Sequence, residues 1–95
     1  MAEAIGKVNF DDGRVRVTTW TLPGTGDAIG WHRHEFDYVV VPVTGGSLTV
    51  FDGDGTEREM IQVAGSPHLG TAGTEHDVVN ATDGEVVFVE IELKR

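Results

Sequence analysis

No cysteine occurs among the 95 residues, which excludes disulfides, thiolate metal ligands and a thiol nucleophile. Basic residues are scarce: seven Lys and Arg stand against sixteen Asp and Glu, for a net charge of -9. Such a surface repels phosphate backbones and anionic lipid, so neither nucleic acid nor membrane is expected as a partner. Long apolar runs are missing too, both of signal-peptide and of bilayer-spanning length, and a cytoplasmic location is the expectation. No segment keeps a helical period over three turns, which argues against a helical core.

Glycine, in contrast, is plentiful at thirteen residues, and it separates short β-branched runs. The runs Ile5–Phe10, Arg14–Leu22, Tyr38–Thr44, Ser47–Asp52, Thr56–Gln62, Asp77–Asn80 and Glu85–Leu93 read as strands. Turn signals fall between them at Asp12-Gly13, Gly45-Gly46, Asp52–Gly55 and Asp83-Gly84. Short strands at this spacing predict an all-β barrel or sandwich, and the length predicts one domain over residues 1–95. In the last strand Val87, Val89, Ile91 and Leu93 alternate with Phe88, Glu90 and Glu92. The aliphatic set is expected in the core, with both glutamates in solvent.

The chemistry concentrates between Gly26 and Asn80. His32 and His34 lie two apart ahead of the run Tyr38–Thr44, and on a strand such residues share a face, with Tyr38 further along it. Two imidazoles so placed can clamp one divalent metal, although an isolated His-x-His pair more often means exposed or hydrogen-bonded histidines. If that face points inward, Val39, Val41 and Val43 point outward as an apolar stripe, covered by a second layer or a second subunit; a homodimer is expected. Pro42, which cannot donate a ladder hydrogen bond, marks an edge or a bulge. Arg33, Glu35 and Asp37 take the outward parity and read as a solvated face.

Two patterns in register extend this reading. Gly26, His32, His34 and Gly45 match the first motif of the cupin superfamily, G-(x)5-H-x-H-(x)3,4-E-(x)6-G, and Gly65, Gly73, His76 and Asn80 match the second, G-(x)5-P-x-G-(x)2-H-(x)3-N. The chain thus resembles a small single-domain cupin, with the short spacer Gly46–Ala64 between motifs. It departs from the pattern at Thr71, where the family usually has Pro, and at Tyr38, where it usually has a metal-binding Glu.

The resemblance implies a double-stranded β-helix, or jelly-roll barrel, holding one divalent transition metal on His32, His34 and His76. Iron is favoured, with Ni, Zn, Mn and Cu also compatible with imidazole ligands. Without the carboxylate, such a centre keeps its full cationic charge and favours an anionic ligand. The implied function is a metal-dependent reaction on a small organic molecule, of dioxygenase or isomerase type. The alternative is a module that binds or senses a small ligand without turnover.

Tyr38 and His68 are the candidate catalytic residues. Tyr38 can donate to a metal-bound ligand, wall the pocket, or ligate the metal directly. His68 can be a fourth ligand, a substrate-binding group, or a packed histidine. Asp77 is a candidate for orienting a ligating imidazole, Asn80 for tying down a turn, and Phe36 for a core position or, by its inward parity, for walling the pocket.

Overall fold

The computed structural model describes residues 3–94 and contains strands and turns but no helix among them. The strands are β1 (Ile5–Asp11), β2 (Val15–Leu22), β3 (His32–Arg33), β4 (Asp37–Pro42), β5 (Gly46–Asp52), β6 (Glu57–Gln62), β7 (His68–Gly70), β8 (Glu75–Asn80) and β9 (Val86–Leu93). They form two antiparallel sheets, ordered β1-β2-β9-β4-β7 and β3-β8-β5-β6. All seven runs expected from the sequence are strands. The two added ones, β3 and β7, are only two and three residues long, too short for any residue pattern to show.

The sheets face each other as a jelly roll. Leu22, Val40, Leu48, Val50, Val78, Val86 and Phe88 fill the space between them. In β4, Tyr38, Val40 and Pro42 are buried while Val39 and Val41 are partly exposed and Val43 beyond the strand is exposed, the orientation expected from the sequence. Pro42 pairs with Phe88 on one side, while β7 ends opposite Val40 on the other. Its missing N–H therefore falls where the ladder has stopped, and its carbonyl accepts from Gly65 N–H at 2.9 Å.

Two expectations are overturned. The first is the orientation of β9. Phe88, Glu90 and Glu92 are buried, whereas Val87, Val89 and Ile91 are half-buried on the outer face and Leu93 is exposed. Register explains it: Glu90 pairs with Val40 and Glu92 with Tyr38, and cross-strand partners share a face. Burial of the two carboxylates is balanced by partners. Arg16 grips Glu92 through Nε at 2.8 Å and Nη2 at 2.7 Å, and Trp20 Nε1 donates to Glu90 at 3.0 Å.

The second concerns the histidines and Tyr38, which do not share one strand. A bend at Glu35–Phe36 carries the chain from β3 in one sheet to β4 in the other. All three side chains still face the interior, but from opposite walls. Phe36 at that bend is half-buried and does not line the cavity described below. Arg33, Glu35 and Asp37 are exposed, as expected.

Candidate metal centre

β3 and β8 pair so that His32 lies directly opposite His76. His34, one residue past the end of β3, is held by its backbone. Its N–H donates to Thr74 O and its carbonyl accepts from Gly73 N–H, both at 2.8 Å. Gly73 has φ +91°, a conformation that glycine adopts without strain, and this turn delivers His76 to β8. Both halves of the site are thus tied to one turn.

The three Nε2 atoms converge: His32 and His34 are 3.1 Å apart, His34 and His76 3.0 Å. The other ring nitrogens decide what that means. His32 Nδ1 lies 2.7 Å from Gly30 O, and a carbonyl only accepts, so Nδ1 carries the proton. His34 Nδ1 faces the Glu90 carboxylate at 3.3 Å, which favours the same tautomer. Two Nε2 lone pairs then point at each other with no proton between them. A cation resolves that repulsion. For metal–nitrogen bonds of about 2.1 Å, adjacent ligands lie roughly 3.0 Å apart in octahedral geometry and roughly 3.4 Å in tetrahedral geometry. The donor set fits a divalent metal: the ligand atoms all lie within 4.8 Å of one another, with His34 about 3 Å from each of the other two.

Burial keeps the ligands neutral. It pushes His34 down to about 4, with His32 and His76 adding to the effect, and pushes His76 down to about 4, with His32 again contributing. A histidine depressed in the fold makes the unfolded chain the better proton binder between the two values. Metal-free protein should therefore lose stability as pH falls from about 6.5 towards 4, on the order of 2 kcal/mol per histidine, and show no dependence on these groups above that window. Glu90, raised by its burial, acts in the opposite sense and offsets part of the loss. Urea melts of chelator-treated protein between pH 4 and 8 check this; a flat profile would contradict it.

Around the ligands, Glu90 bridges Trp20 Nε1 and His34 Nδ1, the arrangement that fixes the tautomer of a ligating imidazole. Sequence reasoning placed Glu90 in solvent. Its shared parity with Phe88 and the inward Trp20 was the signal available. Glu90→Gln is expected to weaken metal affinity by about tenfold to a hundredfold with little change of fold, read by competition with a chelator dye. Asp77 acts one step further out: it accepts Gly30 N–H at 3.0 Å, and Gly30 O in turn holds His32. The Nδ1 of His76 is buried without a partner among the described residues.

The candidate catalytic residues flank the centre. Tyr38 stacks on His34 with ring centroids 3.8 Å apart and planes at 18°, and burial pushes its hydroxyl pKa up. Behind it lies Gly70, its cross-strand partner, where a Cβ would fall inside the Tyr38 ring. His68 stands apart from the three-histidine group; its Nε2 accepts from Gln62 Nε2 at 3.1 Å, and burial lowers its pKa. All five residues border one cavity of about 270 Å³, whose apolar walls include Leu48, Val78 and Phe88.

No protein-family model matches the sequence. The beta-alanine degradation protein BauB of Pseudomonas aeruginosa is 45% identical over 92 residues, covering 97% of this chain and 95% of that protein. The crystal structure of a cupin domain from Bordetella pertussis Tohama I superposes with a TM-score of 0.94 at 44% identity, covering 99% of this chain and 96% of the other. An RmlC-like cupin with a double-stranded β-helix fold from Methanocaldococcus jannaschii gives 0.79 at 12% identity over 95% of this chain and 79% of its own, a likeness of fold alone. With close full-length similarity to one cupin domain, the shared jelly roll and three clustered histidines, the chain belongs to the cupin superfamily.

Proposed function

We propose that this chain is a metal-dependent enzyme that binds one divalent transition metal, iron first, through His32, His34 and His76 and transforms a small carboxylate. The observation that carries the reading is the convergence of the three histidines, with His34 Nε2 within about hydrogen-bond distance of the other two and with Nδ1 of both His32 and His34 engaged by an acceptor. Three imidazoles leave coordination positions open for a small ligand and suit iron, nickel, zinc, manganese or copper. When bound, the metal supplies Lewis acidity or dioxygen activation at the end of the cavity.

The chain's own residues do the rest. Glu90 holds the His34 ring in its ligating tautomer, and the Asp77–Gly30 pair does so for His32. Tyr38, neutral because its pKa is raised further by burial, is a donor at the cavity wall, and His68 lines the same cavity. The apolar walls exclude water from the bound ligand. A carboxylate substrate is supported by the cationic centre and by the name of the BauB relative, which refers to a small amino acid.

Elemental analysis of untagged protein, followed by oxygen uptake by the iron-loaded form over thiols, diketones and short carboxylates, tests the proposal. Less than trace metal would sink it. Full metal with no turnover but ligand-induced thermal stabilisation would favour a binding module instead.

The protein is further proposed to be a homodimer through the outer face of the five-stranded sheet. Register aligns Leu69, Val39, Ile91, Val17 and Phe10 in one apolar row across all five strands, and Val41, Val89 and Thr19 in the next. Neither row contains a carboxylate, which suits self-association in a chain carrying -9. Ile91→Lys is expected to halve the mass measured by light scattering; a monomeric parent would refute the interface.

A further inference from the structure

The metal centre occupies one end of its cavity, and β6 runs along the wall towards the other end. Its inward residues Arg58, Met60 and Gln62 all line the space. Their exposure falls in that order, from exposed through half-buried to buried, so Arg58 sits at the mouth and Gln62 at the floor. Register places Arg58 one row from the metal ligands, since Val50 pairs with both Arg58 and Val78, while His76 pairs with the next inward position, Asp52.

The two ends differ in chemistry. At the mouth, Asp52 holds Arg58 through Nε at 2.8 Å and Nη2 at 3.5 Å, leaving Nη1 without a partner among the described residues. A guanidinium steadied on one edge is suited to receive a carboxylate on the other. At the floor, Gln62 donates its amide N–H to His68 and keeps its Oε1 buried with no partner among the described residues. An unmatched buried carbonyl destabilises the empty cavity, and a ligand O–H or N–H would relieve it.

The charge of the second ligand group follows from what is missing. No cavity-lining side chain among the described residues is a carboxylate, in a protein with sixteen of them. An ammonium at the floor would meet only a neutral amide and a neutral imidazole and would lose its hydration uncompensated. A hydroxyl meets no such penalty. Four residues of strand separate Arg58 from Gln62 by about 13 Å at the backbone. Two hydrogen bonds of about 2.9 Å leave roughly 7 Å for the ligand, or five to six bonds at roughly 1.3 Å of advance each.

We propose that the cavity selects a short unbranched hydroxycarboxylate of roughly four or five carbons, its carboxylate at Arg58 and its hydroxyl at the Gln62–His68 pair. The inference rests on the reading of this cavity as the ligand site. It narrows that reading to an amine-free ligand.

Calorimetric titration of metal-loaded and chelator-stripped protein with ω-hydroxypentanoate, ω-aminopentanoate, pentanoate and pentanediol tests it. The hydroxy acid is expected to bind about tenfold more tightly than either other acid, and the diol not at all. Arg58→Gln should weaken the hydroxy acid about tenfold, and Gln62→Leu should erase its advantage over pentanoate. An amino acid bound as tightly as the hydroxy acid, indifference to either substitution, or no heat from any probe would overturn the inference. Metal content measured on the same samples reports separately on the three-histidine centre.

Discussion

Replacing His76 by alanine is expected to take metal content from one ion per chain to trace and to remove any metal-induced rise in melting temperature. His76 supplies one of three converging Nε2 atoms, and the remaining pair, His32 and His34, forms a single edge at and just beyond the two-residue strand β3. A ligand present at a hundred times its dissociation constant stabilises a fold by about 2.7 kcal/mol, equivalent to roughly 10–20 °C for a domain of this size. The parent should show a shift of that order on loading, and the variant none. His68→Ala serves as the comparison, because His68 bonds Gln62 and lies outside the three-histidine group. Inductively coupled plasma analysis and paired melts read both effects. Full metal retention by the His76 variant would mean that the ion sits elsewhere.

Asn80→Ala carries the largest expected effect on stability. The side chain is 1% exposed. It donates to Leu22 O at 3.0 Å and Gly84 O at 2.7 Å, and its Oδ1 accepts from Thr82 N–H at 2.7 Å. Alanine leaves these backbone groups without their partner and opens a small void. Unsatisfied buried groups cost about 1–3 kcal/mol each. With partial relaxation, a loss of about 3 kcal/mol is expected, lowering the melting temperature by roughly 12 °C or more. Metal affinity measured below the transition should stay near that of the parent, since Asn80 contacts no ligand. A shift of only a degree or two would show that the loops rearrange to satisfy themselves.

The comparison of sequence and structure divides by what each residue needed. His32, His34 and His76 were legible because two spacings coincided, and Asn80 belonged to the same pattern. The valines of β4 do face outward, but because Tyr38, Val40 and Pro42 face the interior of their own sheet and not because the strand of the histidines continues into β4. Glu90 was misplaced because apolar-inside is a rule about average cores, and this interior is polar next to the site. Trp20, which bonds Glu90, and Arg16, which bonds Glu92, lie 70 and 76 positions from their partners, so only the register of β2 against β9 reveals that the acids are balanced. Arg58 and Gln62 looked like ordinary polar residues of a hydrophilic strand; their role depends on which face of β6 meets the cavity. Tyr38 was expected beside the histidines on one strand and instead reaches His34 from the opposite sheet, because a bend of two residues is invisible to strand periodicity.

The pairing of His32 with His76 has a consequence for assembly. β3 is two residues long, and strand alternation means that sliding it by a single position would swing the imidazole at 32 out of the barrel. A chain that docks this strand wrongly cannot complete the triad, so capture of an ion by the triad would also proofread the closure of the barrel at its shortest strand.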